Sequence, residues 1–188
     1  SFFGSKFGRY VEELLASPMP SWVVLAGYVI GAVLRGLLVG AIVLLIALFF
    51  TSLHIVHPLV TLTTVLLGST IFSLAGFINA MFAKKFDDIA IVPTFVLAPL
   101  TYLGGVFYSV NALGSPWREI SLANPILYMV NAFRYGILGV SDVPVGIAYL
   151  VMLAFVIGLG AFAIWLLRRL PPWWMRAFMV ASVSRMPI

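Results

Sequence analysis

The residues of this sequence that could do chemistry are few, and the first group of them lies near its start. In FGRYVEELL, residues 7–15, charged and apolar side chains fall on opposite sides of a helix. They are Arg9, Glu12 and Glu13 on one side and Tyr10 and Leu14 on the other. A helix this short and this charged cannot cross a bilayer. It can lie passively on a membrane surface, or it can dock in a groove of a soluble partner.

The other polar groups argue against catalysis and against bound cofactors. His54 and His57 stand beside Pro58 with no carboxylate nearby, which favours loop residues over metal ligands. The sequence has no GxxxxGK[ST] phosphate loop, so it does not bind ATP in that manner. It contains no cysteine, and no Ser/His/Asp set or paired carboxylate falls within its apolar runs. We therefore expect no enzyme activity in this chain and no cofactor or metal.

The composition indicates a protein that is dissolved in lipid. Of the 188 residues, 63% are hydrophobic and only 9% are charged, and the mean hydropathy is +1.14. A water-soluble domain has about 25% charged residues. Because a bilayer offers no hydrogen bonds, apolar runs of this kind predict an all-α integral membrane protein. The net charge of +5 comes from short clusters between those runs, which fits membrane topology better than a nucleic-acid surface.

The apolar runs predict four membrane spans. They lie near residues 22–50, 59–82, 89–110 and 147–167. Each run is at least as long as the ~20 residues that a bilayer requires. Four spans place most of the cationic residues on one side, namely Lys6, Arg9, Lys84, Lys85, Arg168, Arg169, Arg176 and Arg185. The other side receives only Arg118 and Arg134. Since cytoplasmic loops carry the excess of Lys and Arg, we predict that both termini are cytoplasmic.

The third predicted span contains four residues that interrupt helices: Pro93, Pro99, Gly104 and Gly105. Interrupted backbone inside a membrane is tolerated where protein or a water-filled cavity covers the freed polar groups. We therefore expect this helix to be kinked and sheltered from lipid. A static kink with only a packing role is an equally good interpretation of the same residues.

Two short helices are predicted after the interrupted span. Ser115-Pro116 and Asn124-Pro125 each provide an N-cap residue followed by proline at the first helical position. The helices would cover residues 116–123 and 125–138, too short to cross a hydrocarbon core of about 30 Å. They would form a re-entrant or interfacial pair on the outer side. Arg134 could pair there with Glu119 or with Asp142.

Arg35 is the one charged residue inside a predicted span. The first span is longer than the hydrocarbon requires, so Arg35 can extend its guanidinium to the cytoplasmic interface. We favour that interpretation because a central arginine is costly. A role in lining an inner opening is the alternative.

Small residues on the first two predicted spans suggest close helix packing. Gly27/Gly31 and Gly36/Gly40 form two GxxxG pairs on opposite faces of the first span. A stripe of small residues follows one face of the second span, namely Ser69, Ser73, Gly76 and Ala80. The pattern predicts a packed bundle and gives no information about a substrate.

Four separated motifs resemble one protein family. PTFVLAPLTYLGGVFYSV at 93–110 and NPILYMVNAFRYG at 124–136 are similar to permease subunits of ABC-2 type exporters, in particular a bacterial inner-membrane branch. SKFGRYVEELLASP at 5–18 and FAKKFDDI at 82–89 resemble the same branch. The resemblance covers roughly residues 1–170.

The resemblance implies a fold and a set of partners. Members have six spans, dimerise and pair with separate ATP-binding subunits, so this chain would lack the first two spans. Residues 1–20 would be a cytoplasmic coupling segment that contacts the ATPase, and residues 171–188 a cytoplasmic tail after the membrane domain of 21–170. A second cytoplasmic contact would involve Lys84, Lys85, Asp87 and Asp88, although a plain topology loop is an equal alternative.

These observations lead to one expected function and two alternatives. The expected function is the permease half of an ATP-driven exporter in a bacterial inner membrane, with a second permease copy and surrounding lipid as further partners. A non-transporting scaffold or inactive remnant is the main alternative. A proton-coupled transporter is disfavoured because no carboxylate lies within the spans. The substrate is not readable, and lipid, glycan and drug all fit.

Overall fold

The computed structural model describes residues 20–50, 55–83, 86–106 and 114–169. Within these ranges all regular secondary structure is helical, which confirms the all-α membrane fold class. The predicted coupling segment lies outside the described residues, as do His54, Lys84, Lys85 and residues 171–188.

The described helices follow the apolar runs of the sequence. In chain order they are α1 (Ser21–Phe50), α2 (Pro58–Phe82), α3 (Phe86–Ile91), a π-helical turn (Val92–Leu97), α4 (Ala98–Tyr102), α5 (Trp117–Leu122), α6 (Pro125–Leu138) and α7 (Val145–Arg169). Among the described residues, three helices are long and apolar enough to cross a membrane, namely α1, α2 and α7. The count of four spans therefore stays a prediction.

Helix α2 lies at the centre of the bundle, between α1, α6 and α7. At one end, Leu25 of α1 packs with Phe77 of α2 and Ala163 of α7. Towards the other end, Ile71 of α2 packs with Met129 of α6 and Met152 of α7. Helix α2 is thus antiparallel to α1 and runs in the same direction as α7. We call the two ends of the bundle the α3 end and the α6 end.

The small residues of α2 allow α1 to approach closely. A Cβ on Gly36 would lie 3.7 Å from the Ser69 hydroxyl, and the Ser73 hydroxyl donates to the Val29 carbonyl at 3.3 Å. The other three glycines of the predicted GxxxG pairs, Gly27, Gly31 and Gly40, have open space at the Cβ position. Among the described residues, Gly36 is therefore the one glycine of these pairs that has a neighbouring helix at its Cβ position.

Helix α6 begins as its sequence predicts, whereas α5 does not. The Asn124 side chain accepts a hydrogen bond from the Ile126 N–H at 3.0 Å, and Pro125 occupies the first helical position. In α5, the N-cap is Pro116 itself, and no side chain caps the helix. The prediction of a Ser115 cap was wrong: the helix begins one residue later, and the Ile120 N–H donates to the carbonyl of Pro116, the N-cap.

The backbones of α6 and the start of α2 meet directly. The His57 N–H donates to the Gly136 carbonyl at 2.8 Å, and the Val56 N–H donates to the Ile137 carbonyl at 3.3 Å. The His57 ring stacks on Tyr135 with centroids 4.8 Å apart. A Cβ at Gly136 would lie only 2.8 Å from the Thr61 backbone nitrogen. Glycine is therefore required at position 136, because any side chain would push the two helices apart.

This contact predicts a difference between two glycine substitutions. Gly136→Ala should lower the free energy of unfolding by about 1–3 kcal/mol, since the added methyl collides with backbone that cannot rotate away. Gly158→Ala on α7 has open space around its Cβ and should be neutral or slightly stabilising. Thermal unfolding in detergent micelles measures both. Equal melting temperatures for the two variants would contradict the close contact.

Candidate functional site

The interrupted segment, residues 86–102, is helical throughout but changes its hydrogen-bond pattern between its two prolines. Pro93 and Pro99 have no N–H, so each removes a donor from an α-helical ladder. Between them the chain forms a π-helical turn, Val92–Leu97, and the Ala98 N–H donates to the Pro93 carbonyl five residues back. Single π-helical turns of this kind are frequent at functional sites.

Side chains from two other helices and from the residue that caps α6 donate to carbonyl oxygens of this region. In an α-helix, the N–H at position 93 would donate to the Ile89 carbonyl; here the Asn79 amide of α2 donates to it at 3.0 Å. The Gly104 N–H donates to the Thr101 carbonyl and not to the Leu100 carbonyl four residues back. The Leu100 carbonyl instead accepts a hydrogen bond from the Asn124 amide at 2.6 Å. The Gly105 carbonyl receives the Arg134 guanidinium at 2.6 Å. The segment is thereby fixed at the α3 end and at the α6 end of the bundle.

The two glycines after the segment permit its contact with α6. A Cβ at Gly104 would lie 2.9 Å from the Ile126 Cγ2 atom. Gly105 has a φ of +71°, a left-handed conformation that other residues adopt only with strain. Both glycines are buried. They let the backbone reach α6, and they contribute almost no side-chain packing to the contact.

Arg134 is held in position by a chain of polar contacts. Its guanidinium contacts the Asp142 carboxylate at 3.3 Å, so Asp142 is the observed one of the two predicted partners. The Asp142 N–H in turn donates to the buried Asn131 side chain at 2.8 Å. Asn131 therefore fixes the loop after α6, Asp142 orients Arg134, and Arg134 binds the Gly105 carbonyl.

The middle of the interrupted segment is not covered by the other residues that the structure describes. Pro93 and Pro99 are exposed, and 73% of Phe95 is accessible. Among the described residues, the two ends of the segment touch neighbouring helices and its apolar middle faces outward. The expectation that neighbouring protein shelters this helix therefore stays a prediction.

A cleft of about 960 Å³ lies between α1, α2 and α6. Its walls are apolar apart from two serines, one threonine and Arg134 at the α6 end. Gly36 and Gly68 widen the cleft because they carry no side chain. Val106, which follows the interrupted segment, also lines it. The cleft and the segment therefore meet at Arg134.

Arg35 lies halfway along α1 and is exposed. It adjoins Gly36, a residue of the cleft wall. Within the described residues no hydrogen bond or ion pair reaches its side chain. Helix α1 has 30 residues, about 45 Å at helical rise, so its length leaves room for a guanidinium that extends to either interface.

The structure places few of the predicted contact residues. Asp87 and Asp88 stand in the first turn of α3, where acidic side chains suit the positive end of the helix dipole. The remaining predicted contacts with an ATPase lie outside the described residues. No group of three or more His, Asp or Glu side chains that could hold a metal ion occurs in the described ranges.

Comparison with known proteins assigns the family. Residues 1–138 match the family described as ABC-2 type transporter, which is most of the chain. The chain belongs to the ABC-2 type transporter family. It is a multi-pass membrane protein by its apolar helices. No solved structure matches it significantly.

Relatives of this ABC-2 chain are known under one name. It is similar to the inner membrane transport permease YadH of Escherichia coli (strain K12), of Escherichia coli O157:H7 and of Shigella flexneri. Each is 52% identical to it over 157 residues, which is 84% of this chain. The chain spans about 61% of the length of these relatives.

In this ABC-2 chain, the sequence did not predict the three side chains that donate hydrogen bonds to carbonyls of the interrupted segment and of Gly105. The sequence pattern indicates no role for Asn79, only a helix cap for Asn124, and only a carboxylate partner for Arg134. The sequence does contain a signal. In a chain with only 9% charged residues, which lies mostly in lipid, a side-chain amide or guanidinium has few water partners and must bond to other protein groups. The missing information was which distant carbonyls the prolines and glycines leave open.

The contact between Gly104 and Ile126 yields a paired prediction. Gly104→Ala should destabilise the chain by about 1–3 kcal/mol, because the new methyl meets a β-branched side chain that cannot rotate away. Adding Ile126→Ala should recover part of the loss, although Ile126→Ala alone is destabilising. A double-mutant cycle of melting temperatures measures the coupling. Strictly additive effects would contradict the proposed contact.

Proposed function

We propose that this chain is the membrane-spanning permease part of an ATP-driven exporter in a bacterial inner membrane. The observation that carries the proposal is its membership of the ABC-2 type transporter family, together with its 52% identity to proteins named transport permeases. The interrupted segment supports it. A helix that is fixed at both ends and changes hydrogen-bond pattern in the middle can bend without losing its contacts.

Energy would come from a separate ATP-binding subunit on the cytoplasmic side. The excess of Lys and Arg supports an orientation in which both termini and the α3 end are cytoplasmic and the α6 end is outside. Residues 7–15 would then dock on the ATPase through Arg9, Glu12 and Glu13, with Tyr10 and Leu14 as apolar contacts. Lys84, Lys85, Asp87 and Asp88 would provide a second contact.

A second permease copy would cover the exposed middle of the interrupted segment. The large apolar side chains on this face are Ile91, Phe95, Val96 and Tyr102, between 48% and 73% exposed. Two such faces would enclose a path between the two copies, under α5 and α6. Substrate would leave by this path when ATPase closure shifts the helices.

Association with the ATPase is tested by co-purification. The protein, expressed with an ABC ATP-binding subunit from the same genome, should retain that subunit on an affinity column. Charge reversal of Glu12 and Glu13 to Lys should reduce the retained amount at least tenfold, since each lost charged hydrogen bond costs about 1.5–3 kcal/mol. Reversal of Glu119, predicted to lie on the opposite side of the membrane, is the matched control and should change nothing.

The same experiment tests the orientation, because Glu12 can reach a cytoplasmic ATPase only if the N-terminal segment is cytoplasmic. Loss of retention with Glu119→Lys and not with the Glu12 and Glu13 reversals would invert the topology. No retention by the unaltered protein would favour the scaffold alternative.

The second copy is tested by cross-linking, for which a chain without cysteine is well suited. Phe95→Cys in native membranes should form a disulfide-linked dimer on mild oxidation. Leu150→Cys on α7 is similarly exposed, at 68%, but lies on a different helix and should stay monomeric. Equal dimer yields at the two positions would indicate random collision and overturn the assignment of this face.

A further inference from the structure

Two contacts fix the α6 end of the interrupted segment, and both are hydrogen bonds from side chains to main-chain carbonyls. They are the bonds from Asn124 to Leu100 and from Arg134 to Gly105, each 2.6 Å long. We call this pair the latch. The close approach of Gly104 to Ile126 adds to the latch, but Gly104 and Gly105 contribute almost no side-chain packing. Among the described residues, the position of the segment at this end therefore depends mainly on the latch.

The α3 end is fixed differently. There Ile89 packs against the apolar cluster that contains Ala80, Met81 and Ala83, in addition to accepting the Asn79 bond. Apolar burial holds that end even if its hydrogen bond breaks. The α3 end of the segment is therefore held by apolar packing, whereas the α6 end is held mainly by hydrogen bonds. Breaking the two hydrogen bonds of the latch can release the α6 end.

The Arg134 bond of the latch can break at low cost. About 23% of the Arg134 side chain is exposed, against 3% of Asn124. Arg134 shares its guanidinium between the Gly105 carbonyl and Asp142, so it keeps an ionic partner when it leaves the carbonyl. Release therefore does not strand a buried charge, which would otherwise be prohibitively costly.

We propose that Asn124 and Arg134 are positioning residues that form a releasable latch, and that the interrupted segment exchanges between a latched and a released position at its α6 end. The segment moves about its α3 end, and the π-helical turn absorbs the bend. Release opens the boundary between the segment and α6, where Val106 and Arg134 line the cleft. The role of this movement in transport rests on the proposed function; the movement itself does not.

The test measures the position of the segment in the full chain, in lipid nanodiscs and without any ATPase. Spin labels at Thr101→Cys and Leu138→Cys, both exposed, report the distance from the segment to α6. Labels at Leu138→Cys and Leu150→Cys report the distance from α6 to α7 as a control. Both distances are measured by electron paramagnetic resonance.

Arg134→Met should produce a second, longer population of the Thr101–Leu138 distance and leave the Leu138–Leu150 distance unchanged. Arg134→Lys should lie between Arg134→Met and the unaltered chain, since one ammonium cannot serve the carbonyl and Asp142 in the same forked geometry. If both variants show the distribution of the unaltered chain, the latch does not position the segment and the proposal is wrong.

Asn124 provides a matched pair that separates the latch from the helix cap. Asn124→Ser keeps an oxygen that can accept from the Ile126 N–H, but it is too short to reach the Leu100 carbonyl. Asn124→Ala loses both. The proposal expects a released population in both variants, with a lower melting temperature mainly in Asn124→Ala. A released population in Asn124→Ala alone would assign Asn124 to the cap and overturn its part in the latch.

Misfolding and failure of the proposed function each give a different result. A variant that simply misfolds alters the control distance as well, which counts against a specific latch. An intact latch in a chain that binds no ATPase would refute the exporter assignment and leave the conformational exchange standing.

Discussion

The structure depends on one constraint: a carbonyl oxygen that faces lipid has no water to accept from, so each interrupted hydrogen bond needs a donor from the protein. Pro93, Pro99 and the glycine pair interrupt the backbone of one segment. Asn79, Asn124 and Arg134 provide donors to it from elsewhere in the bundle. Losing the donor of a buried acceptor costs about 1–3 kcal/mol, so these three donors strongly favour one position of the interrupted segment.

Much of the fold could be predicted from the sequence, because its rules are local. Apolar length predicted the helices that became α1, α2 and α7, and Asn124-Pro125 predicted the start of α6. The π-helical turn could not be derived in the same way, since proline shows which donor is missing and not which hydrogen bond replaces it. The donors were harder still, because Asn79 lies 10 residues from its acceptor and Arg134 lies 29 residues from its own.

The exposed middle of the segment shows a second limit. Hydropathy assigns the same value to a side chain in lipid and to one in a protein interface. The hydropathy of Phe95 and Pro99 therefore does not indicate whether these residues contact this chain, another copy or lipid. The same holds for α1, whose most apolar stretch has no buried residue within this chain.

The junction between α6 and the start of α2 has a mechanical consequence. Two main-chain hydrogen bonds and the glycine contact at position 136 join these helices at the α6 end of the bundle. Helix α2 is 25 residues long, about 37 Å, and spans the bundle. We therefore expect α2 to act as a lever, so that a small rotation at its far end would displace α6 at the opposite end of the bundle.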